Sequence, residues 1–91
     1  MVPSGFGFIG RSDDFVFCVK ENYDGYLYYK TTRSSDWLKF KMPKHIEGVE
    51  GVFRLDARRI GVSAFGKNPK PIHLHPGWSG VVEIDNVDLA K

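Results

Sequence analysis

Apolar and polar residues alternate with a period of two along most of this chain, and the clearest stretch is residues 24–42, DGYLYYKTTRSSDWLKFKM. Successive side chains on a strand point to opposite faces. A strand from Tyr26 therefore puts Leu27, Tyr29 and Thr31 on one side and Tyr26, Tyr28 and Lys30 on the other. After the polar break Arg33-Ser34-Ser35, Leu38, Phe40 and Met42 share one side while Trp37, Lys39 and Lys41 share the other. Asp24-Gly25 is a turn signal, since Gly takes positive φ freely and Asp tolerates it. The stretch reads as a β-hairpin with one greasy face and one face of aromatics and lysines.

The same period predicts strands at 5–9, 15–20, 51–56, 60–65, 72–75 and 81–85, eight in all with the two of the hairpin. Residues 10–14, 57–59, 66–71 and 76–80 read as turns or loops. Residues 43–50, with Pro43 and Gly48, read as a polar connector with room for one helical turn. No helix-length window carries a 3.6-residue period. The expected fold is all-β: eight antiparallel strands as two four-stranded meanders, closed as a small barrel or sandwich. The expected core is Phe15, Phe17, Val19, Leu27, Tyr29, Leu38, Phe40, Ile60, Val62, Ile72, Leu74, Val82 and Ile84.

The two halves echo each other. A shift of 45 residues sets Phe8 on Phe53, Phe15 on Ile60, Phe17 on Val62, Leu27 on Ile72 and Tyr29 on Leu74. With one residue dropped, the stretch 37–41 falls on 81–85. The match is in apolar phase rather than identity, and it divides the single domain into candidate repeats 5–43 and 50–87. A period in the forties suits one propeller blade. On this spacing, and on Ser35-Asp36-Trp37, each half resembles a β-propeller blade. Those three residues resemble the Ser/Thr-Asp-Gly-Trp turn of sialidase-type blades, with the spacing compressed and the Gly missing. The length and layout are similar to small two-repeat lectins that complete a propeller from several chains. That resemblance implies two propeller-like blades closed by oligomerisation as the alternative fold, and an oligomeric carbohydrate-binding protein as an alternative function. It transfers no sugar-contact residue.

Length and composition set bounds. Ninety-one residues make one domain, and 42% hydrophobic with 26% charged residues is an ordinary globular balance. The formal charge of +2 drives no global attraction to nucleic acid or anionic membrane. The distribution is uneven: residues 1–45 hold seven Lys/Arg against five Asp/Glu, and the rest holds six against six. The longest apolar run, FVFCV, is far too short for a membrane span. The N-terminal MVPSGFGFIG lacks the basic and long apolar regions of a signal peptide. The single cysteine, Cys18, excludes an intramolecular disulfide and sits in a strand pattern, so the expected setting is cytoplasmic.

Catalytic signatures are missing from the sequence. There is no Gly-x-Ser-x-Gly elbow, no P-loop and no Cys-x-x-Cys, and GFGFIG lacks the strand-then-helix context that a dinucleotide site requires. The expectation is a non-enzymatic protein with no cofactor. His73-Leu74-His75 resembles the opening of a cupin metal motif, but the positions that should hold its Glu are Ser79 and Gly80. A metal site would have to come from His73 and His75 facing Glu83 and Asp85 across a turn at 76–80; exposed His–carboxylate pairs are the plainer reading.

The candidate ligand-binding set is Tyr26, Tyr28, Lys30, Trp37, Lys39 and Lys41. Bases and sugar rings stack on Tyr and Trp, and lysines neutralise phosphate. Three lysines with only Asp36 at the margin favour single-stranded nucleic acid over sugar. Plain solubility, or a face covered by another chain, would need no ligand. A structural assembly protein is a third class, against which Lys39 and Lys41 argue, because interfaces are depleted in Lys. An all-β chain this short leaves open edges, so a homo-oligomer is expected.

Overall fold

The computed structural model describes residues 2–67 and 77–87. Seven strands run through them: β1 (Phe6–Ser12), β2 (Phe15–Lys20), β3 (Tyr26–Thr31), β4 (Leu38–Lys41), β5 (Ile46–Arg54), β6 (Ile60–Lys67) and β7 (Gly77–Ile84). They form two antiparallel meanders, a sheet ordered β1-β2-β3-β4 and a sheet ordered β5-β6-β7. The all-β antiparallel class expected from the alternation is therefore correct. Of the two expected closures the barrel is not seen: among the described residues seven strands rather than eight form two separate sheets. No helix among the described residues is long and apolar enough to cross a membrane.

Local chemistry explains the turns. β1 and β2 join through Asp13-Asp14, with Asp13 at φ 53°, a left-handed conformation that Asp tolerates. At the entry to β3, Gly25 sits at φ 88°, and Asp24 Oδ1 accepts the Tyr26 amide at 3.1 Å. The turn read from Asp24-Gly25 is thus present. Between β5 and β6, Asp56 Oδ1 accepts the Arg58 amide at 2.9 Å, and the Leu55 amide returns to the Arg59 carbonyl.

The inward faces of both sheets pool into one core. Phe15, Phe17, Leu27 and Tyr29 from the first sheet join Ile46, Val49, Val52, Ile60, Val62 and Ala64 from the second, with Met42 and Val87. The sheets meet along β1 and β5, where Ser12 Oγ accepts the Arg54 amide at 2.8 Å. The Arg54 guanidinium lies 5.5 Å from the Phe15 ring centre and closes that end of the core.

Three expectations are corrected. Residues 46–50 are the first half of β5, not connector. Register shifts between Ile46 and Gly48, and between Val49 and Gly51, each insert one residue. Ile46, Val49 and Val52 therefore all point inward at a three-residue spacing, and the period of two is lost. Residues 77–80 are the start of β7, not a turn: Gly77 pairs with Lys67 and Gly80 with Ala64. Leu38, expected in the core, is 44% exposed, because β4 is a four-residue edge strand with no strand beyond it among the described residues. Val19, Phe40, Val82 and Ile84 are partly buried against the core. The strand expected at 72–75, with Ile72 and Leu74, lies outside the described residues.

Candidate functional site: the outer face of the four-stranded sheet

Registry assembles this face from all four strands. On β3 the inward residues are Leu27 and Tyr29, so Tyr26, Tyr28 and Lys30 point outward. Pairing sets Lys41 beside Tyr26 and Lys39 beside Tyr28, and Lys30 reaches Trp37 just before β4. The six residues singled out by alternation do share one face. Across β2 the pairing extends it further. Phe8, Cys18, Tyr28 and Lys39 form one row, Arg11, Val16 and Lys30 a second, and Phe6 pairs with Lys20. The expected set lacks Phe6, Phe8, Arg11 and Lys20. Only the pairing of β1 with β2, not the hairpin by itself, brings them in.

The face is packed by its own side chains. Lys39 Nζ sits 4.6 Å from the Tyr26 ring centre and 5.9 Å from that of Tyr28. Lys30 Nζ sits 5.0 Å from the Trp37 ring. Phe6 meets Tyr28 edge-on at 4.8 Å. Each cation–π contact contributes about 0.5–1 kcal/mol at such a half-exposed site. Beneath this layer Val16 and Cys18 are buried, so β2 is covered on both faces. Burial pushes the Cys18 thiol up to about 11, against a small opposing pull from Lys30.

Asp24 anchors one margin. Its Oδ2 accepts the Tyr28 hydroxyl at 2.8 Å and lies 3.5 Å from Lys20 Nζ. Burial raises the Asp24 carboxyl, but the Tyr28 hydroxyl, the Tyr26 amide and Lys20 together outweigh it and hold it below its ordinary value. The same hydrogen bond pushes the Tyr28 hydroxyl up to about 12. The strands themselves carry no carboxylate: β1 to β4 hold Arg11, Lys20, Lys30, Lys39 and Lys41 and no Asp or Glu.

A second feature lies on the inward side of the same sheet. A cavity of about 290 Å³ is lined by Phe15, Tyr29 and Leu38, with Thr31, Ser34 and Asp36 among its polar residues. Ser34 Oγ accepts the Asp36 amide at 3.1 Å, which fixes the bend of the β3–β4 loop. Sequence reasoning missed this cavity, because it exists only where β2, β3 and that loop converge.

The metal arrangement sets His73 and His75 against Glu83 and Asp85; in sequence, residues 77–80 between these pairs are extended strand. His73 and His75 lie outside the described residues; Glu83 instead sits 3.9 Å from Arg59 Nη1. No group of three or more His, Cys, Asp or Glu among the described residues could hold a metal ion. No protein-family model, curated protein or solved structure matches this chain.

Proposed function

We propose that the chain is a non-enzymatic binding module for single-stranded nucleic acid, acting through the outer face of β1 to β4. One observation carries the reading: five cations and no carboxylate stand on these strands, interleaved with Phe6, Phe8, Tyr26, Tyr28 and, at the edge, Trp37. A flexible polyanion complements both features, with phosphates drawing the ammonium groups and bases taking the ring faces. Lys30 and Lys39 now cover Trp37 and Tyr26. Phosphate competes for those ammonium groups and frees the rings for stacking, which contributes about 1–3 kcal/mol per base. Titrating the protein with mixed-sequence oligonucleotides at low salt tests this; saturable, salt-sensitive binding supports it, and no binding sinks it.

The cavity favours carbohydrate as a second reading. Its Phe15, Tyr29 and Leu38 offer an apolar surface to the C–H face of a sugar ring, while Asp36, Ser34 and Thr31 bring a carboxylate and two hydroxyls. Its volume suits a single ring rather than a drug-sized ligand. Under this reading, chemical-shift changes on adding pyranoses map to residues 31–38 and vanish in Asp36→Asn. Shifts confined to the outer face would reject it.

A further inference from the structure

We infer that β7 is a self-pairing edge through which two copies of this chain join antiparallel, extending the three-stranded sheet to six strands. The inference goes beyond the nucleic-acid reading and stands whether or not that reading holds. Four edges bound the two sheets. β1 and β5 meet each other, tied by the Ser12–Arg54 hydrogen bond. β4 is four residues long and carries Lys39 and Lys41, and short, lysine-bearing edges resist pairing. β7 has neither protection. It runs for eight residues, pairs with β6 along its whole length, and among the described residues has no strand on its other side.

Residues 85–87 turn away from that edge. The Val87 amide donates to the Arg58 carbonyl at 3.0 Å, and Val87 is buried in the core, which carries the chain toward the β5–β6 turn. An open row of backbone donors and acceptors is a template for another strand.

The charge pattern selects a second copy as that strand. Glu83 is the one ionisable side chain within β7, and it stands off centre. A two-fold axis at Val81 sets Val81 against Val81 and Glu83 against Ser79, so no like charges oppose each other. The even-numbered residues Trp78, Val82 and Ile84 stay on the core side of both copies, and the odd-numbered ones stay outside. Val81 is 56% exposed, and β-branched pairs at such a position stabilise antiparallel ladders. Interfaces of this kind are isologous: the same residues serve both partners.

Light scattering on the full chain across a concentration series tests it with a charge pair. Wild type should approach twice the 10.3 kDa chain mass. Val81→Lys and Val81→Glu each set like charges against each other and should weaken association about tenfold or more. Their circular dichroism should match wild type, since the side chain faces outward. The decisive sample is the equimolar mixture of the two variants, which should regain the double mass. Three results would each overturn the inference: a monomeric wild type, single variants that still associate like wild type, or a mixture that stays monomeric.

Discussion

The two sheets turn opposite chemistries outward. The strands of the four-stranded sheet carry five cations and no acid; those of the three-stranded sheet carry Glu47, Glu50 and Glu83 against Arg54 and Lys67. The first face is covered by its own long side chains, with ammonium groups over rings and Val16 and Cys18 sealed beneath. The second is built from rings laid over missing side chains. Phe53 lies where a side chain on Gly61 would go, and Phe65 where one on Gly48 would go, each about 43% exposed. Aromatic cover of this kind restores packing where glycine weakens a strand. One chain thus covers its outer surfaces in two ways, and the proposed polyanion is matched to the cationic one.

Substitutions at the glycines of the second sheet are the strongest way to break its half of the comparison. A Cβ at Gly66 would run into the backbone of His45 and Glu47, which cannot step aside. Gly66→Ala should cost about 3 kcal/mol in urea denaturation, by overpacking against a rigid strand. At Gly61 the obstacle is the Phe53 ring, which can swing out to solvent, so Gly61→Ala should cost only about 1 kcal/mol. Equal costs would mean that the rings of this face are as fixed as its backbone.

Binding substitutions sharpen the other half. Trp37→Ala should weaken oligonucleotide binding about tenfold while leaving the melting temperature within a few degrees. Lys39→Ala combined with Lys41→Ala should lower the salt slope by about 1.4, the contribution of two phosphates on a single strand. Phe53→Ala and Phe65→Ala on the opposite sheet should change neither quantity. An effect of either phenylalanine as large as that of Trp37 would erase the proposed division between the faces.

Smaller effects follow from the pinned and buried groups. The Asp24 carboxyl is held below its ordinary value, so its contribution to stability is present above the unfolded-state pKa and is lost as pH falls through the depressed one. Asp24→Asn should therefore lower the melting temperature at neutral pH by under about 4 °C, with the gap closing in acid. Cys18, with its thiol pushed up to about 11 beneath the aromatic layer, should resist thiol reagents at neutral pH until the protein unfolds.

How much of this was readable beforehand follows from where the period of two survives. In β3 and β4 it is unbroken, so the outward set Tyr26, Tyr28, Lys30, Lys39 and Lys41 could be read directly. In β5 two bulges shift the phase, and a strand with Gly48 and Gly51 resembles a loop. In β7 the Gly-Trp-Ser-Gly run has the composition of a turn, and only its pairing with residues 64–67 keeps it extended. Burial of Val16 and Cys18 depends on side chains of β1 and β3 meeting across β2, as Phe6 does with Tyr28, which is a packing fact and not a sequence pattern.

The most direct test of the account is fluorescence titration of Trp37, in a Trp78→Phe background, with a mixed-sequence single-stranded oligonucleotide over a range of salt concentrations. Trp37 carries Lys30 over its ring, so a phosphate chain that draws the ammonium away and stacks a base there changes its emission. The account predicts a saturable change whose affinity falls steeply as salt rises, and whose slope shrinks when Lys39 and Lys41 are removed. A flat titration at the lowest salt would contradict it.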